Sequence, residues 1–327
     1  MPPGHTAKPV PSGWLGSCLR VVRVPRMRFS VWPTLAQPWA EVLEVSRHAE
    51  ATGWDGVYVM DHFMGNDGPP GAVEVPTLEG TGALAALAAT TDRVRLGTLV
   101  LGNTYRHPAT VANWAATVDH VSNGRVLLGV GAGWQVNEHE QYGIELPPPG
   151  ELLARFEEAC QVWHGLLRQK TTTLEGRYYQ LRDAICEPKP VQDPLPLLIG
   201  GKGKKMLGIV ARYADEWNMW GLADTIAERG AILDEHCERI GRDPSEIQRS
   251  AQALFLVTDD AAQAKAFRED ASRPAVAGTA DDIVEAVAAW QAIGLDEVIV
   301  PDFTLGKRQN RLDRLDLIIE QVAPHFR

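Results

Sequence analysis

Four cysteines in 327 residues are few, and they lie far apart at Cys18, Cys160, Cys186 and Cys237. No CxxC pair occurs, so neither a zinc site nor a disulfide frame is spelled out, and the thiols read as reduced and cytoplasmic. Positive charge is also scarce: 32 Lys and Arg against 42 Asp and Glu leave a formal charge of −10. A sequence-independent grip on nucleic acid needs a cationic surface, so that class drops out. No stretch approaches the ~18 consecutive apolar residues of a membrane span. No HExxH or comparable ligand spacing points to a metal. A GxSxG elbow, a Walker loop and a repeat of fixed period are missing too. The expectation left standing is a soluble cytoplasmic protein with no nucleic-acid or membrane partner.

What is present has ordinary globular composition, 45% hydrophobic and 23% charged, in a chain long enough to bury a sizeable core. Residues 1–26 stand apart, with Pro2, Pro3, Pro9, Pro11 and Pro25 and no apolar period. The run Trp14–Leu19 is too short for the core of a signal peptide. The segment reads as a disordered extension, with Met27 an alternative translation start, and 27–327 as a single domain.

From Arg28 onward, short apolar runs alternate with segments of helical period. The runs are Phe29–Trp32, Gly56–Met60, Val94–Leu99, Val126–Val130, Leu195–Ile199, Glu216–Met219, Ala253–Val257 and Glu297–Val300. Near-continuous apolar runs indicate strands buried on both faces, as in a parallel sheet. Helical segments fall at 38–52, 77–90, 108–122, 151–168, 203–214, 223–241, 279–293 and 310–323. Pro108, Asp281 and Asp282 mark helix starts, and Gly53, Gly241 and Gly294 mark ends. Eight strands each leading to a helix predict an α/β fold, the (β/α)8 TIM barrel. The rival, a doubly wound sheet, uses fewer strands and a helix-start phosphate fingerprint. The stretch between strands four and five, about 135–194, is too long for a plain crossover. It carries a Pro147-Pro148-Pro149 bend and a hairpin signal at Glu175-Gly176, and reads as an insertion over the barrel mouth.

Three motifs sit where barrel chemistry is built, at strand ends. Gly129-Val130-Gly131-Ala132-Gly133-Trp134 fails as a dinucleotide fingerprint, because Trp134 takes the place of the third glycine. Its glycines either permit a tight turn or let a planar ligand lie against backbone. Gly200-Gly201-Lys202-Gly203-Lys204-Lys205 leads into a helix, and its N–H groups and lysines suit a phosphate, with a solvated basic turn as the plainer reading. Gly278-Thr279 could add donors or be an ordinary N-cap. Asp61-His62 follows the second strand. The pair suits acid–base work, although adjacent strand residues face opposite ways and a lone histidine can equally be structural. Glu138-His139-Glu140 and His107-Pro108 are weaker signals.

In order and spacing these pieces resemble the luciferase-like monooxygenase superfamily, in particular its branch that uses the deazaflavin coenzyme F420. The resemblance runs through Gly53–Phe63, Arg95–Leu101, Tyr105–Pro108, Gly124–Trp134, Glu175–Tyr179, Leu198–Gly201 and Ala211–Asn218. It implies a barrel mouth that holds a flavin-like ring, with FMN the alternative cofactor and a homodimer the expected assembly. Strand three would end in a bulge at Thr98, Leu99 and Val100, with a non-prolyl cis peptide between Leu99 and Val100 against the ring. Asp61 would lie near the cofactor and His62 would move the proton that accompanies hydride transfer. Gly131, Ala132, Gly133, Trp134 and Asn137 would line the ring and ribityl chain, and Gly200, Gly201, Lys202 and Gly203 would take the phosphate. In the branch that oxidises sugar phosphates a glutamate follows the strand-four glycines. Trp134 stands there here, which argues for a more apolar substrate. The function implied is an F420-dependent oxidoreductase, with an FMN-dependent monooxygenase and a non-catalytic flavin-binding barrel as the other readings.

Overall fold

The computed structural model describes residues 26–65 and 75–327. Seven of the apolar runs fall on strands of a barrel that has eight parallel strands among the described residues: β1 (Arg28–Trp32), β2 (Gly56–Val59), β3 (Arg95–Thr98), β4 (Val126–Gly131), β5 (Leu197–Gly200), β6 (Glu216–Trp220), β7 (Gln248–Gln252) and β8 (Glu297–Pro301). Each pairs with the next, and β8 returns to β1, with Arg28 opposite Glu297 and Trp32 opposite Pro301. Closure leaves no sheet edge, which makes this a (β/α)8 barrel.

Among the described residues ten helices follow in chain order: α1 (Trp39–Thr52), α2 (Gly80–Ala88), α3 (Pro108–Ser122), α4 (Val136–Tyr142), α5 (Pro149–Arg168), α6 (Lys204–Tyr213), α7 (Ala223–Ile240), α8 (Ala261–Asp270), α9 (Ala280–Ala292) and α10 (Gln309–Leu317). Gly53 and Gly241 end α1 and α7 in the left-handed conformation that favours glycine. Thr279 and Asp282 form a capping box at α9, so Gly278-Thr279 is a helix start and not a donor pair for a ligand. The expected helix 310–323 breaks into α10, a widened turn at Ile318–Val322 and a short 3-10 turn. Pro324, which has no N–H to donate, enforces the break. Phe326 then accepts the Met27 N–H at 3.0 Å beneath β1.

One expected strand is displaced. The apolar run at Ala253–Val257 is not the seventh barrel strand. Residues Leu254–Val257 pair instead with Ala275–Gly278 in a separate two-stranded parallel sheet. The barrel takes the preceding residues, Gln248-Arg249-Ser250-Ala251-Gln252, between β6 and β8. They carry no apolar run because the barrel interior is polar there, and Ser250 accepts a hydrogen bond from Asn218 Nδ2 at 2.9 Å. Helices α4 and α8, short and polar, gave no apolar period to read.

Within 135–194, α5 packs between α3 and α6 as the barrel's fourth outer helix. The additions to the βα unit are α4 with its loop and the antiparallel hairpin Thr172–Glu175 with Gln180–Ala184. The expectation for residues 1–26 lies outside the described residues apart from Arg26, which pairs with Asp55 at 2.9 Å. Cys160, Cys186 and Cys237 are free and buried. Among the described residues no helix is long and apolar enough to cross a membrane.

Candidate active site

The C-terminal ends of β2, β3 and β4 bring together residues far apart in sequence. Strand β3 bulges at its end: Leu96 and Gly97 face Val126 and Leu127, but Leu101 and Gly102 face Val130 and Gly131, so one extra residue is accommodated. The peptide bond between Leu99 and Val100 is cis, as the resemblance implies. Val100 fills the space above two glycines. A Cβ on Gly131 would come within 2.7 Å of its Cγ2, and one on Gly200 within 3.1 Å of its Cγ1. These two glycines therefore admit Val100. Thr98 lies buried below, donating to the Gly129 carbonyl at 2.7 Å.

The expected Asp61–His62 partnership does not form. The two side chains diverge, as neighbours on an extended chain do. Asp61 is buried and held bidentately by Arg106 at 2.8 and 2.9 Å, and it accepts the Gly102 N–H at 2.9 Å. Burial pushes its carboxyl above the ordinary range against the pull of Arg106. With its side chain fully enclosed, Asp61 braces the bulge and presents nothing to a ligand.

The carboxylate partner of His62 is Glu138, 76 residues on, whose Oε2 lies 3.1 Å from Nδ1. Glu138 is buried in α4 and also accepts from Phe63 N at 2.6 Å, Met64 N at 3.3 Å and the Tyr105 hydroxyl. Burial opposes its charge, but the hydrogen bonds from His62 and Tyr105 outweigh burial and hold the carboxyl below its ordinary range. An ionised carboxylate can only accept, so the proton of neutral His62 sits on Nδ1 and Nε2 carries the lone pair. Burial, with Glu138 beside it, raises the Tyr105 hydroxyl. That phenol stays a neutral donor. The His62 side chain is 23% exposed and meets Trp134 edge to face at 5.4 Å. A histidine beside a buried carboxylate, with one nitrogen unpartnered among the described residues at a barrel mouth, can take or give one proton.

The other expected site residues divide. Trp134 is 52% exposed, a large apolar face turned to solvent beside His62. Ala132 is buried, and Gly133 has φ +98 and no room for a Cβ against Thr104. Asn137 spends its amide N–H on Gly65 O at 2.8 Å, tying α4 to the segment after β2, while its buried Oδ1 has no partner. His139 is structural, bridging Gln135 O and Thr104 Oγ1 at 2.6 and 2.8 Å. The Gly201 N–H is already donated to Asn218 O at 3.0 Å, so it is not a free phosphate donor. The first turn of α6 stays open: Gly203 caps it with no side-chain bond, and the Cβ position there has nothing within 4 Å. Lys202, Lys204 and Lys205 are exposed around those unpaired N–H groups. An anion can dock there, and a flat ring can lie on Trp134, so the residues present fit a phosphate-bearing tricyclic cofactor. Among the described residues no group of three His, Cys, Asp or Glu is placed to hold a metal ion.

The profile of the luciferase-like monooxygenase family matches residues 24–274. An F420-dependent glucose-6-phosphate dehydrogenase of Beutenbergia cavernae is 30% identical over 317 residues, covering 85% of this chain and 91% of that protein. Among solved structures, an F420-dependent secondary alcohol dehydrogenase in complex with an F420-acetone adduct superposes with a TM-score of 0.80. It is 21% identical and covers 92% of this chain and 99% of the other. A monooxygenase from Streptomyces bottropensis superposes at 0.77, with 19% identity and coverage of 92% and 100%. At such identities the superpositions speak for the fold alone.

Proposed function

The chain belongs to the luciferase-like monooxygenase family of oxidoreductases, and from that premise we propose that it is an F420-dependent oxidoreductase acting on a small organic substrate at the barrel mouth. The observation that carries the reading is the His62–Glu138 dyad, with the other imidazole nitrogen unpartnered among the described residues beside an exposed tryptophan face. The name of the Beutenbergia relative supports the choice of cofactor. Bound F420 would supply the hydride acceptor or donor, as cofactors carry such chemistry.

The chain's own residues do the rest. Nε2 of His62 takes the proton from the substrate heteroatom when its carbon loses hydride, and returns it in the reverse direction. Glu138 fixes the tautomer and stabilises the imidazolium that forms, while the Phe63 and Met64 N–H groups and the Tyr105 hydroxyl keep Glu138 ionised. Trp134, Leu99 and Val100 offer apolar faces that exclude water from the reacting centre. The open first turn of α6, with Lys202 and Gly203, takes the phosphate.

Titrating the full chain separately with F420 and FMN, followed by tryptophan fluorescence, tests this. Saturable quenching by F420 at concentrations where FMN has no effect is the expected result, since Trp134 would lie against the ring. Quenching by FMN alone overturns the choice of cofactor in favour of a flavin monooxygenase, and no response to either overturns the reading altogether.

A further inference from the structure

Opposite the His62 side of the mouth, the ends of β1, β6, β7 and β8 build a second wall. Trp32 closes β1 and Trp220 closes β6, with ring centroids 5.7 Å apart. Phe303, just past β8 and 42% exposed, meets Trp32 edge to face at 5.0 Å. This wall is aromatic, but two polar atoms in it are unsatisfied. The indole N–H of Trp32 and Oε1 of Gln252 are buried without any hydrogen-bond partner, in residues that are 7% and 3% exposed. Such orphans are uncommon in a folded interior and call for an explanation. Gln252 shares the strand parity of Ser250, whose hydroxyl bonds Asn218, so its side chain is directed into the barrel at the upper layer.

A charge sits above the same wall. The Arg273 guanidinium lies 5.2 Å from the Trp220 ring centroid, and it is exposed. No carboxylate within 4.0 Å pairs with it among the described residues, whereas Arg106 across the mouth is fully spent on Asp61 and Glu79. An aromatic wall, a cation above it with no carboxylate partner among the described residues, and an orphaned donor and acceptor within it define a ligand by complement.

We infer that the substrate is an aromatic hydroxy- or oxo-carboxylate. Its ring lies against the wall of Trp32, Trp220 and Phe303, and its carboxylate is held by Arg273. Its oxygen function satisfies Gln252 Oε1 or the Trp32 N–H, with the reacting carbon turned to His62. The inference rests on the oxidoreductase reading for what happens to that carbon, but the recognition itself is a matter of binding. A sugar phosphate would leave the aromatic wall uncovered.

The test is isothermal titration of the full chain, with and without F420, using mandelate, its neutral isostere mandelamide, and glucose 6-phosphate. Mandelate should bind roughly tenfold tighter than mandelamide, the weight of one charge-assisted hydrogen bond, and tighter than glucose 6-phosphate. Arg273→Met should erase the preference for acid over amide and leave mandelamide affinity unchanged. Because Arg273 is exposed, this variant should keep the wild-type melting temperature. Gln252→Leu should weaken acid and amide alike. Equal binding of acid and amide overturns the inference, as does an Arg273→Met variant that keeps the preference, tighter binding of glucose 6-phosphate, or no mandelate binding in either preparation. Failure of F420 to bind would instead sink the functional reading, since mandelate binding without F420 does not depend on it.

Discussion

The two ends of the barrel each bury carboxylates, and they use them differently. At the N-terminal end, Glu297 sits inside the barrel 3.1 Å from Arg28, with Arg95 at 3.7 Å and the Tyr58 hydroxyl donating at 3.1 Å. Arg95 also pairs with Glu216. Burial works against the charge of Glu297, but Arg28 and Arg95 hold its carboxyl below the ordinary range. At the C-terminal end, Glu138 is just as deeply enclosed, yet its basic partner is a histidine. Guanidinium groups never release their proton, so the lower cluster can only hold the strands in register. Histidine changes charge near neutrality as a residue type, and His62 keeps one nitrogen unpartnered among the described residues, so the upper cluster can transfer. Both ends solve the same desolvation problem, and the identity of the partner decides between support and chemistry.

Exchanging the parts should separate the two roles. The largest effect is expected from His62→Asn, which should lower turnover about 10²–10⁴-fold, the usual range for one acid–base group. F420 affinity and melting temperature should stay near wild type, because the asparagine amide keeps an N–H donor toward Glu138. Stopped-flow turnover with F420 checks this, and a variant at the wild-type rate would make the mouth another supporting cluster. Next in size, Glu297→Gln takes one of the two carboxylates from Arg28 and Arg95 and leaves them Glu216 alone, which should cost about 1.5–3 kcal/mol of stability, the weight of hydrogen bonds to a charged group. Denaturant unfolding measures the loss. Turnover per folded molecule should not change, and a parallel fall in both would erase the distinction between the ends.

The sequence announced some strands and site residues more clearly than others, for a physical reason. Seven barrel strands showed as apolar runs, but β7 did not, because its buried Ser250 and Gln252 belong to the polar side of the barrel. The nearby run at Leu254–Val257 was the stronger signal and belongs to a different sheet. At the mouth, strand-end position singled out His62 and Trp134, and both are there. Glu138 was visible only as one acid in Glu138-His139-Glu140. Nothing local links it to a histidine 76 residues away; the link is made by closure of β2 and β4 around the β3 bulge. The glycines at 131 and 200 invited a ligand-contact reading, and only the position of Val100 shows what they make room for. An aromatic wall split among the ends of β1, β6 and β8 leaves no motif at all.

The smallest predicted effect concerns acid. Glu138 has a folded value below that of a free glutamate, so between the two values the unfolded chain binds more protons than the folded one. Its ionisation therefore contributes stability that is fully present above the unfolded value of ~4.3 and disappears as pH falls through the lower folded value. Glu138→Gln keeps the shape but cannot ionise, so it should be less stable than wild type at pH 7. That gap should narrow as pH falls below the unfolded value of ~4.3, where the wild-type carboxylate is lost as well. Urea unfolding of both proteins across that range reads it directly. A gap independent of pH would mean that Glu138 holds its loop by shape alone and does not carry the charge that His62 needs beside it.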